Sequence, residues 1–284
     1  MTVNNGDIGV LRKAQLSEPL FQKFSAMVYQ KAGIYLKAEK KELLNSRLGK
    51  RLRALGIDSF ADYYDYVIHD TSGEELVCML DVVSTNFTSF FRENDHFVFL
   101  VDHVLPALTN RVGGKELTFW SAAASSGEEP YTMALISEDF FENKVGWSYR
   151  ILATDISTRV LAYANRGIYP LDRVAKIPNH YLKKYFQQGV GQAIGYVRIK
   201  RSLRRRIVFE RFNLMHDFPW KRALDIIFCR NVMIYFNRET QQKLVNKFYQ
   251  TLAPGGYLFT GQTESVSGLK HDFIQVASAV YQKK

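Results

Sequence analysis

The sequence predicts an α/β protein: a doubly wound parallel sheet, an all-helical domain in front of it, and a small antiparallel β-subdomain inserted into it. Residues 17–85 carry apolar side chains at helical spacing only, which is typical of an all-α unit. From residue 117 onward, short apolar strands alternate with helical segments, a pattern that indicates strand–helix–strand units. The stretch 178–206 breaks this alternation with clustered glycines and arginines.

Composition predicts a globular protein, and the net charge predicts that it binds an anionic partner. Apolar residues make up 46% and charged residues 23% of the chain, as in ordinary globular proteins, and no apolar run approaches the roughly 20 residues that span a bilayer. The net charge of +10 favours nucleic acid, anionic lipid or an acidic protein surface as the partner. The only two cysteines, Cys78 and Cys229, are too few for a disulfide framework or a cysteine zinc site and indicate a reducing cytoplasm.

The N-terminal region is predicted to be helical. Residues 1–16 show little periodicity and lack the ordering of a secretory signal, so we expect a flexible N-terminus. Residues 17–93 are expected to form four helices and the linker that follows them. The fourth helix is expected to begin at Ser72, because Glu75 three residues later would complete a capping box.

The second helix, over roughly 38–55, has one apolar face and one basic face. A run of basic residues usually lies on a solvated face. Only Glu39 and Glu42 balance the charge here, so a surface that docks an acidic partner is the other interpretation. The basic residues of that surface are Lys40, Arg47, Lys50, Arg51 and Arg53.

The linker that follows the helical domain mixes polar and aromatic residues. Asn86, Thr88 and Arg92 are interleaved with phenylalanines. Packing at a junction explains the phenylalanines, but a guanidinium beside such apolar bulk requires a partner, and a carboxylate fits it best. A helix over roughly 95–110 and a turn at Gly113–Gly114 are expected to lead into the first strand.

The stretch 117–133 has the pattern of a strand, a small-residue loop and a helix. Small side chains fill 121–127, and Glu128 and Glu129 begin the helix, where negative charge is favourable. Such a loop lets a ligand lie against backbone N–H groups, although an ordinary strand–helix turn also favours small residues. The loop lacks the GxGxxG fingerprint of dinucleotide sites.

The next predicted strand, over 149–154, ends in Asp155. An acidic residue at this position of a doubly wound sheet accepts hydrogen bonds from ribose hydroxyls. Together with the small-residue loop, it predicts a cofactor that contains adenosine but is not a dinucleotide.

The basic insertion is expected to be a glycine-turned hairpin. A helix over roughly 179–186 precedes three glycines, and alternating residues predict two strands over roughly 196–200 and 207–212. An exposed strand edge there would bind an extended peptide by β-augmentation. A charged edge that prevents aggregation is at least as common.

After the insertion the α/β pattern resumes, with elements over 225–231, 239–252, 257–260 and 273–281. Ligands of open parallel sheets bind at the carboxyl ends of the strands. The loop 121–129, Asp155, Asn213 and the segment 230–235 all follow strands, so we expect them to converge.

Six segments carry a family resemblance: NFTSFFRE, WSAAASSGEEPYTMA, ATDIS, FNL, FCRNVMIYF and PGGYLFTGQTES. In this order they resemble the CheR family of chemotaxis receptor methyltransferases, over nearly the whole chain. The resemblance implies a Rossmann-like methyltransferase domain over 94–284. It also implies transfer of a methyl group from S-adenosylmethionine to glutamate side chains on the cytoplasmic helices of a chemoreceptor, with S-adenosylhomocysteine as the other product.

The same resemblance implies roles for individual residues. In similar proteins Arg92 and Tyr235 line the reacting end of the cofactor, and Asp155 holds its ribose; Arg92 would pair with the carboxylate of the cofactor. The implied cofactor contacts are Asn86, Thr88, Arg92, Glu129, Asp155, Asn213, Leu214, Arg230 and Asn231. Family members that bind a receptor's C-terminal pentapeptide are similar at Gly189, Gly191, Gly195 and Arg198.

The implied chemistry needs few catalytic groups. A glutamate carboxylate, with an ordinary pKa of about 4.3, is ionised at neutral pH and needs no general base. The sequence offers neither a Ser-His-Asp set nor clustered metal ligands, so we expect no metal. What remains for the protein is to align the reacting atoms and exclude water.

Two other functions stay open at this point. A nucleic-acid methyltransferase would suit the basic charge, but residues 230–233 lack the Asn/Asp-Pro-Pro-aromatic tetrad of enzymes that modify exocyclic amines, and we identify no pocket for a flipped base. A cofactor-sensing or receptor-tethering module without catalysis would not require Asn86, Arg92, Asp155 and Tyr235 together. We therefore expect a cytoplasmic, monomeric enzyme that acts on receptor helices, does not act on nucleic acid and is not embedded in the membrane.

Overall fold

The computed structural model of this chain describes residues 15–110, 116–220 and 223–284. Most of the predicted flexible N-terminus lies outside the described residues. Leu16, at its end, is buried, and its backbone N–H donates to Asn45 Oδ1 at 3.0 Å. The predicted Gly113–Gly114 turn also lies outside the described residues.

The N-terminal domain is all-helical, as predicted. Its helices are α1 (Glu18–Ala32), α2 (Lys41–Leu55), α3 (Phe60–His69) and α4 (Glu74–Val83). A 3-10 turn over Ala38–Lys40 leads into α2. The apolar faces of the helices meet in one core, in which Phe24, Leu48, Tyr63 and Met79 are completely buried.

The predicted capping box at the start of α4 is wrong. The helix begins after Gly73; the backbone N–H of Glu75 donates to Asp70 Oδ2 at 2.7 Å rather than to Ser72, whose Oγ accepts from the Glu74 N–H at 3.1 Å. The Glu75 side chain turns into the domain, where it accepts hydrogen bonds from Tyr63 Oη at 2.8 Å and Arg51 Nε at 2.8 Å. Burial of this carboxylate requires charged and hydroxyl partners, and those lie on α2 and α3 rather than at Ser72.

The helix predicted over 95–110 is confirmed in extent. It consists of α5 (Asp95–Phe99), a π-helical turn (Leu100–Val104) and α6 (Leu105–Thr109). The wider turn in the middle is a local change of winding of the kind that α-helices tolerate.

The strands that follow are β1 (Glu116–Ala122), β2 (Ser148–Asp155), β3 (Ile168–Pro170), β4 (Phe186–Gln188), β5 (Tyr196–Ile199), β6 (Ile207–Arg211), β7 (Leu224–Cys229), β8 (Leu252–Thr260), β9 (Ile274–Ala277) and β10 (Val280–Gln282). The main sheet has the order β6-β2-β1-β7-β8-β10-β9. Its strands are parallel from β6 to β8, and β10 and β9 are antiparallel. The single strand predicted within 273–281 is therefore two strands, which reverse at Ala279, where φ is 55°.

Helices cover both faces of this sheet, as expected for a doubly wound fold. The helix over 95–109 and α7 (Glu128–Phe141) pack in the core of one face, and α11 (Arg238–Thr251) packs in that of the other. The remaining helices are α8 (Thr158–Arg166), α9 (Asn179–Tyr185) and α10 (Arg201–Arg204). Because neighbouring residues of a strand point to opposite faces, Phe119 of β1 packs in one core with Tyr131 of α7, and Trp120 packs in the other with Phe248 of α11. The strand β2 lies on one side of β1 and β7 lies on the other, so the order of the strands reverses at β1. Such a reversal predicts a crevice at the carboxyl ends of β1 and β7.

The inserted β-subdomain is present, but the predicted hairpin is wrong. The small sheet has the order β3-β5-β4, all antiparallel, and the glycine turn joins β4 to β5. The strand predicted over 207–212 is β6, which instead pairs in parallel with β2, from Ile151 with Ile207 to Asp155 with Arg211. The helix α10 lies between β5 and β6 in the chain, and β6 forms the edge strand of the main sheet.

Candidate active site

A cavity of about 400 Å³ lies at the carboxyl ends of β1, β2 and β7, between the helical domain and the sheet. This volume is in the range of small-molecule and cofactor sites, about 300–1,000 Å³. Every residue that the sequence reading assigned to cofactor binding or catalysis lines it: Asn86, Thr88, Arg92, Glu129, Asp155, Asn213, Leu214, Arg230, Asn231 and Tyr235. The convergence of polar groups that was expected from strand ends is therefore observed.

The small-residue loop after β1 forms part of the cavity wall through its backbone. Ala123 and Ser125 have positive φ angles of 67° and 50°, and both line the cavity. Gly127, at φ 95°, has no room for a side chain, since a Cβ would lie 2.8 Å from Ala164 Cβ and 2.9 Å from Tyr169 Oη. At Gly127 the loop is thus packed closely against α8 and β3, and the small side chains of the loop let a ligand approach its backbone directly.

Asp155 stands at the end of β2 and faces the same cavity. Its Oδ2 accepts a hydrogen bond from the Ser125 N–H at 2.8 Å and its Oδ1 accepts one from the Ser157 N–H at 2.9 Å. The residue is only 5% exposed, and burial raises the pKa of its carboxyl to about 6. These contacts fix the orientation of the carboxylate and leave further lone pairs for a ligand.

Arg230 lies in an ion network with two carboxylates. Its Nη1 is 3.0 Å from Glu129 Oε2 and its Nη2 is 3.0 Å from Glu93 Oε2, while its side chain is only 2% exposed. Ser121 Oγ donates to the other oxygen of Glu129 at 2.7 Å. Burial raises the pKa of Glu129, and the charge of Arg230 opposes that rise. The positive charge of Arg230 is thus neutralised within the protein, and the side chain builds the cavity wall rather than offering a free cation.

Arg92 differs from Arg230 in its contacts. Its Nη1 donates to the carbonyl oxygen of Phe87 at 2.8 Å, and its guanidinium lies 5.7 Å from the centre of the Phe87 ring. Across the described residues, no ion pair joins Arg92 to a carboxylate. The carboxylate partner predicted for this guanidinium is therefore not supplied by the described chain, and the group is available for an anionic ligand.

The helical domain contributes one side of the cavity. The N–H of Tyr35 donates to the carbonyl oxygen of Tyr235 at 2.7 Å, next to an isolated antiparallel bridge between Ile34 and Phe236. Asn213 Nδ2 donates to the Lys31 carbonyl oxygen at the end of α1. The cavity therefore depends on the packing of the two domains against each other.

The five predicted docking residues occupy different environments. Lys40, Lys50 and Arg53 are exposed, and Lys40 also lines the cavity. Arg47 donates to the carbonyl oxygens of Val83 and Ser84 and so fastens the linker to α2. Arg51 pairs with the buried Glu75, which gives it a structural role within the helical domain.

The glycines of the β-subdomain lie away from the cavity. Gly189 must remain glycine because a Cβ would lie 1.9 Å from the Ala193 carbonyl oxygen. Gly191, Gly195 and Arg198 are exposed on the β4–β5 turn and on β5, and β4 is an edge of the small sheet. The structure therefore separates this group from the cofactor candidates.

Two carboxylates near the cavity, the partly buried Glu93 and the buried Glu264, were missed by sequence reasoning. Glu93 pairs with Arg230 and accepts a hydrogen bond from Asn231 Nδ2 at 3.0 Å; burial would raise its pKa, but the amide of Asn231 and the charge of Arg230 lower it overall. Glu264 accepts backbone hydrogen bonds from Asn231 and Ile234. The available signal was that both carboxylates lie in the quoted segments NFTSFFRE and PGGYLFTGQTES.

Among the residues that the structure describes, no group of three or more His, Cys, Asp or Glu side chains has the proximity needed to hold a metal ion. None of the helices seen in the described part of the chain has the length and apolar character needed to cross a membrane.

Comparison with known proteins gives matches over almost all of the chain. The family model described as CheR methyltransferase, all-alpha domain, matches residues 19–84, and the model described as CheR methyltransferase, SAM binding domain, matches residues 86–282. A chemotaxis protein methyltransferase of Borreliella burgdorferi is 40% identical over 262 residues, which are 90% of this chain and 91% of that protein. Those of Klebsiella aerogenes and Escherichia coli are 38% and 37% identical over 271 and 267 residues, which are 95% and 94% of this chain and 91% of each relative.

Proposed function

This chain belongs to the CheR methyltransferase family, and from that premise we propose that it transfers a methyl group from S-adenosylmethionine to glutamate side chains on the cytoplasmic helices of a chemoreceptor. The products would be glutamate methyl esters and S-adenosylhomocysteine. The proposed enzyme acts in the cytoplasm as a monomer and requires no metal.

The observation that carries this proposal is the shared cavity of Arg92, Asp155 and Tyr235. These residues come from the linker, from the end of β2 and from the segment after β7. A carboxylate, a guanidinium that forms no ion pair within the described residues and a phenol thus line one cavity of cofactor size. Separate sites for Arg92 and Asp155 would have removed the basis of the proposal.

The residues of the cavity fit S-adenosylmethionine. Asp155 would accept hydrogen bonds from the ribose hydroxyls, and Arg92 would bind the carboxylate of the cofactor in a charge-assisted pair. The backbone of the loop that contains Ala123 and Ser125 would approach the cofactor closely. When bound, S-adenosylmethionine supplies a methyl group on a positively charged sulfonium, which makes the sulfur a good leaving group without acid catalysis.

The tasks of the chain itself are orientation and exclusion of water. The glutamate side chain of a receptor is ionised at neutral pH, so the protein has no proton to remove. Tyr235 and Phe87 line the cavity and would wall the reacting end, which limits hydrolysis and holds the carboxylate in line. Glu129, Arg230 and Glu93 would keep this wall rigid through their ion pairs.

Methylation of a receptor fragment tests the proposal. Incubation of the protein with radiolabelled S-adenosylmethionine and a purified receptor cytoplasmic fragment should place label on glutamate residues, and mild base should release the label as methanol because esters hydrolyse. Label that appears on RNA or DNA instead, with none on the receptor, would favour the nucleic-acid alternative that the charge of +10 suggests.

The exposed basic residues of α2 are proposed to attract the acidic receptor helices. We expect the double variant Lys50→Glu, Arg53→Glu to slow receptor methylation by about tenfold at low salt, because the reversal removes electrostatic steering, whose effect ranges from about 10- to 1,000-fold. Affinity for S-adenosylhomocysteine, measured by calorimetry, should not change. Arg51 is left intact because it pairs with Glu75.

A matched control for this variant is Lys144→Glu with Lys284→Glu. It makes the same change in net charge at exposed positions away from α2. We expect it to keep the wild-type rate. Equal methylation rates for the α2 variant and this control at low salt would disprove the docking role of α2.

Arg92 is proposed to bind the carboxylate of the cofactor. We expect Arg92→Ala to weaken binding of S-adenosylhomocysteine by about 10- to 100-fold, since a hydrogen bond to a charged group is worth about 1.5–3 kcal/mol. The control is Arg166→Ala, which removes another guanidinium that lies over an aromatic ring, 5.6 Å from the Tyr163 ring centre. Calorimetry that shows wild-type affinity in Arg92→Ala would reject the assignment.

The β-subdomain is proposed to bind the C-terminal pentapeptide of a receptor. Among the described strands β4 pairs only with β5, so its outer edge would accept an added strand. Gly189, Gly191 and Gly195 shape the turn beside it, and Arg198 is exposed on β5, where it would attract a peptide carboxylate. This contact would tether the receptor while other receptor helices enter the cavity.

A further inference from the structure

The segment Arg230 to Tyr235 carries several groups of the cavity but has little regular structure of its own. Asn231 has a positive φ of 59°, and a single 3-10 turn covers Met233–Tyr235. Asn231, Val232 and Tyr235 line the cavity. A buried segment of this kind must find partners for its backbone N–H groups outside helices and sheets.

The side chain of Glu264 supplies these partners. Its Oε2 accepts hydrogen bonds from the backbone N–H of Asn231 at 2.7 Å and of Gly261 at 2.7 Å, and its Oε1 accepts one from the N–H of Ile234 at 3.1 Å. The residue is only 5% exposed. One carboxylate therefore joins the segment after β7 to the segment after β8.

The atoms around the Glu264 carboxylate are closely packed. A Cβ on Gly261 would lie 2.7 Å from Glu264 Oε2 and 2.9 Å from the Asn231 nitrogen, so this position requires glycine for close approach. Thr260 Oγ1 donates to the Glu264 carbonyl oxygen at 3.0 Å, which fixes the backbone that bears the carboxylate. The Glu264 side chain is therefore fixed in place, and it holds the backbone of residues 231–234.

Other contacts hold the opposite sides of the same segment. Asn231 Nδ2 donates to Glu93 Oε1 at 3.0 Å, and the Tyr235 carbonyl oxygen accepts from the Tyr35 N–H at 2.7 Å. These contacts reach the linker and the helical domain. On the side of the sheet domain, two side chains hold the segment: Glu264 accepts from its backbone N–H groups, and Gln241 Nε2 of α11 donates to the carbonyl oxygen of Met233 at 2.9 Å.

From these contacts we propose that Glu264 is a positioning residue, whose carboxylate holds residues 231–235 so that Asn231 and Tyr235 face the cofactor cavity. This inference rests on the proposed function, because it assigns Glu264 to the support of that site. Glu264 does not line the cavity, so it acts through the backbone of the segment and not by contact with cofactor or substrate.

A carboxylate suits this role better than an amide. Each of its oxygens accepts hydrogen bonds, whereas glutamine has one acceptor oxygen and an NH₂ group that only donates. In Glu264→Gln the NH₂ group would face a backbone N–H, and at least one buried donor would lose its partner. The shape of the side chain stays the same, so packing of the core is preserved.

Hydrogen exchange measured without cofactor tests the support directly. In Glu264→Gln we expect at least one of the amides of Asn231 and Ile234, the one that faces the new NH₂ group, to exchange about 5- to 150-fold faster than in the wild type, because an unsatisfied buried donor costs about 1–3 kcal/mol and 1.4 kcal/mol is tenfold. Exchange within β7 should stay as slow as before. The control is Glu239→Gln, which removes an exposed carboxylate paired with Lys243 on α11 and should leave residues 231–235 unchanged.

Loss of the hydrogen bonds of Glu264 should also lower catalytic activity and cofactor affinity. We expect Glu264→Gln to lower kcat for receptor methylation about tenfold and to weaken S-adenosylhomocysteine binding, while KM for the receptor fragment changes less than twofold. Should this variant not fold, Gly261→Ala disturbs the same contact from the other side and is measured in the same way. Wild-type exchange at residues 231–235, or fast exchange with unchanged kcat and cofactor affinity, would overturn the proposal.

The two proposals fail in different ways. If the wild-type protein does not methylate receptor fragments, the proposed function fails, although the exchange result can still hold. If the wild type is active and the exchange of residues 231–235 in the variants equals that of the wild type, the role of Glu264 fails alone.

Discussion

Asp155→Ala is expected to weaken binding of S-adenosylmethionine by at least about 100-fold, since two lost hydrogen bonds to a charged group are worth about 3 kcal/mol or more and 1.4 kcal/mol is tenfold. Calorimetric titration of cofactor into the purified variant measures the loss. A thermal melt of the variant shows whether it is folded, because Ser125 and Ser157 lose an acceptor as well. The control is Asp217→Ala, whose carboxylate is fully exposed.

The pKa of Asp155 adds a pH dependence to this expectation. Burial raises it to about 6, and ribose hydroxyls donate to the ionised form, so cofactor affinity should be constant above pH 7 and fall as pH drops through 6. Asp155→Asn should lose this dependence. The stability of the ligand-free protein should depend on pH in the opposite direction. The raised pKa of Asp155 favours the folded state at acid pH, and this contribution to the free energy of unfolding is lost as pH rises through about 6. Cofactor affinity in the wild type that is equal at pH 5 and pH 8 would contradict the role of Asp155.

Arg230→Ala is expected to destabilise the protein by about 3–5 kcal/mol, because it removes a buried cation and leaves the largely buried carboxylates of Glu93 and Glu129, 15% and 12% exposed, without their partner. The two ion pairs are 3.0 Å long each, and the Arg230 side chain is 2% exposed. Chemical denaturation of the purified variant measures the change in the free energy of unfolding.

The control for Arg230 is Arg150→Ala. Arg150 also forms an ion pair, with Glu116 at 2.9 Å, but its side chain is 73% exposed. Such surface pairs contribute about 0–1 kcal/mol. Equal losses in the free energy of unfolding for the two variants would show that the ion pairs of Arg230 stabilise the fold no more than an exposed ion pair does.

Local patterns predicted most of the fold because they report contacts between near neighbours in the chain. The strand, small-residue loop and helix of β1 and α7 followed from apolar and small residues in one short stretch. The hairpin prediction failed because strand pairing is a long-range choice: the alternation in 207–212 indicates a strand, but only the edge of β2 decides that β6 pairs there. Two short strands in 273–281 likewise could not be told from one.

The residues of the site were easier to predict than their environments. Polar residues after strands converge in any open parallel sheet, and the ten residues assigned to cofactor binding or catalysis do line one cavity. The sequence did not indicate that Arg230 is neutralised by two carboxylates, nor that Arg51 pairs with Glu75. Those pairings join residues far apart in the chain, and Glu264 was missed for the same reason.

A crystal structure of the protein with bound S-adenosylhomocysteine tests the central claim most directly. It should show the ligand in the cavity at the carboxyl ends of β1, β2 and β7, with the ribose hydroxyls on the carboxylate of Asp155 and the ligand carboxylate on the guanidinium of Arg92. A ligand bound elsewhere, or bound in this cavity with its ribose far from Asp155, would contradict the account.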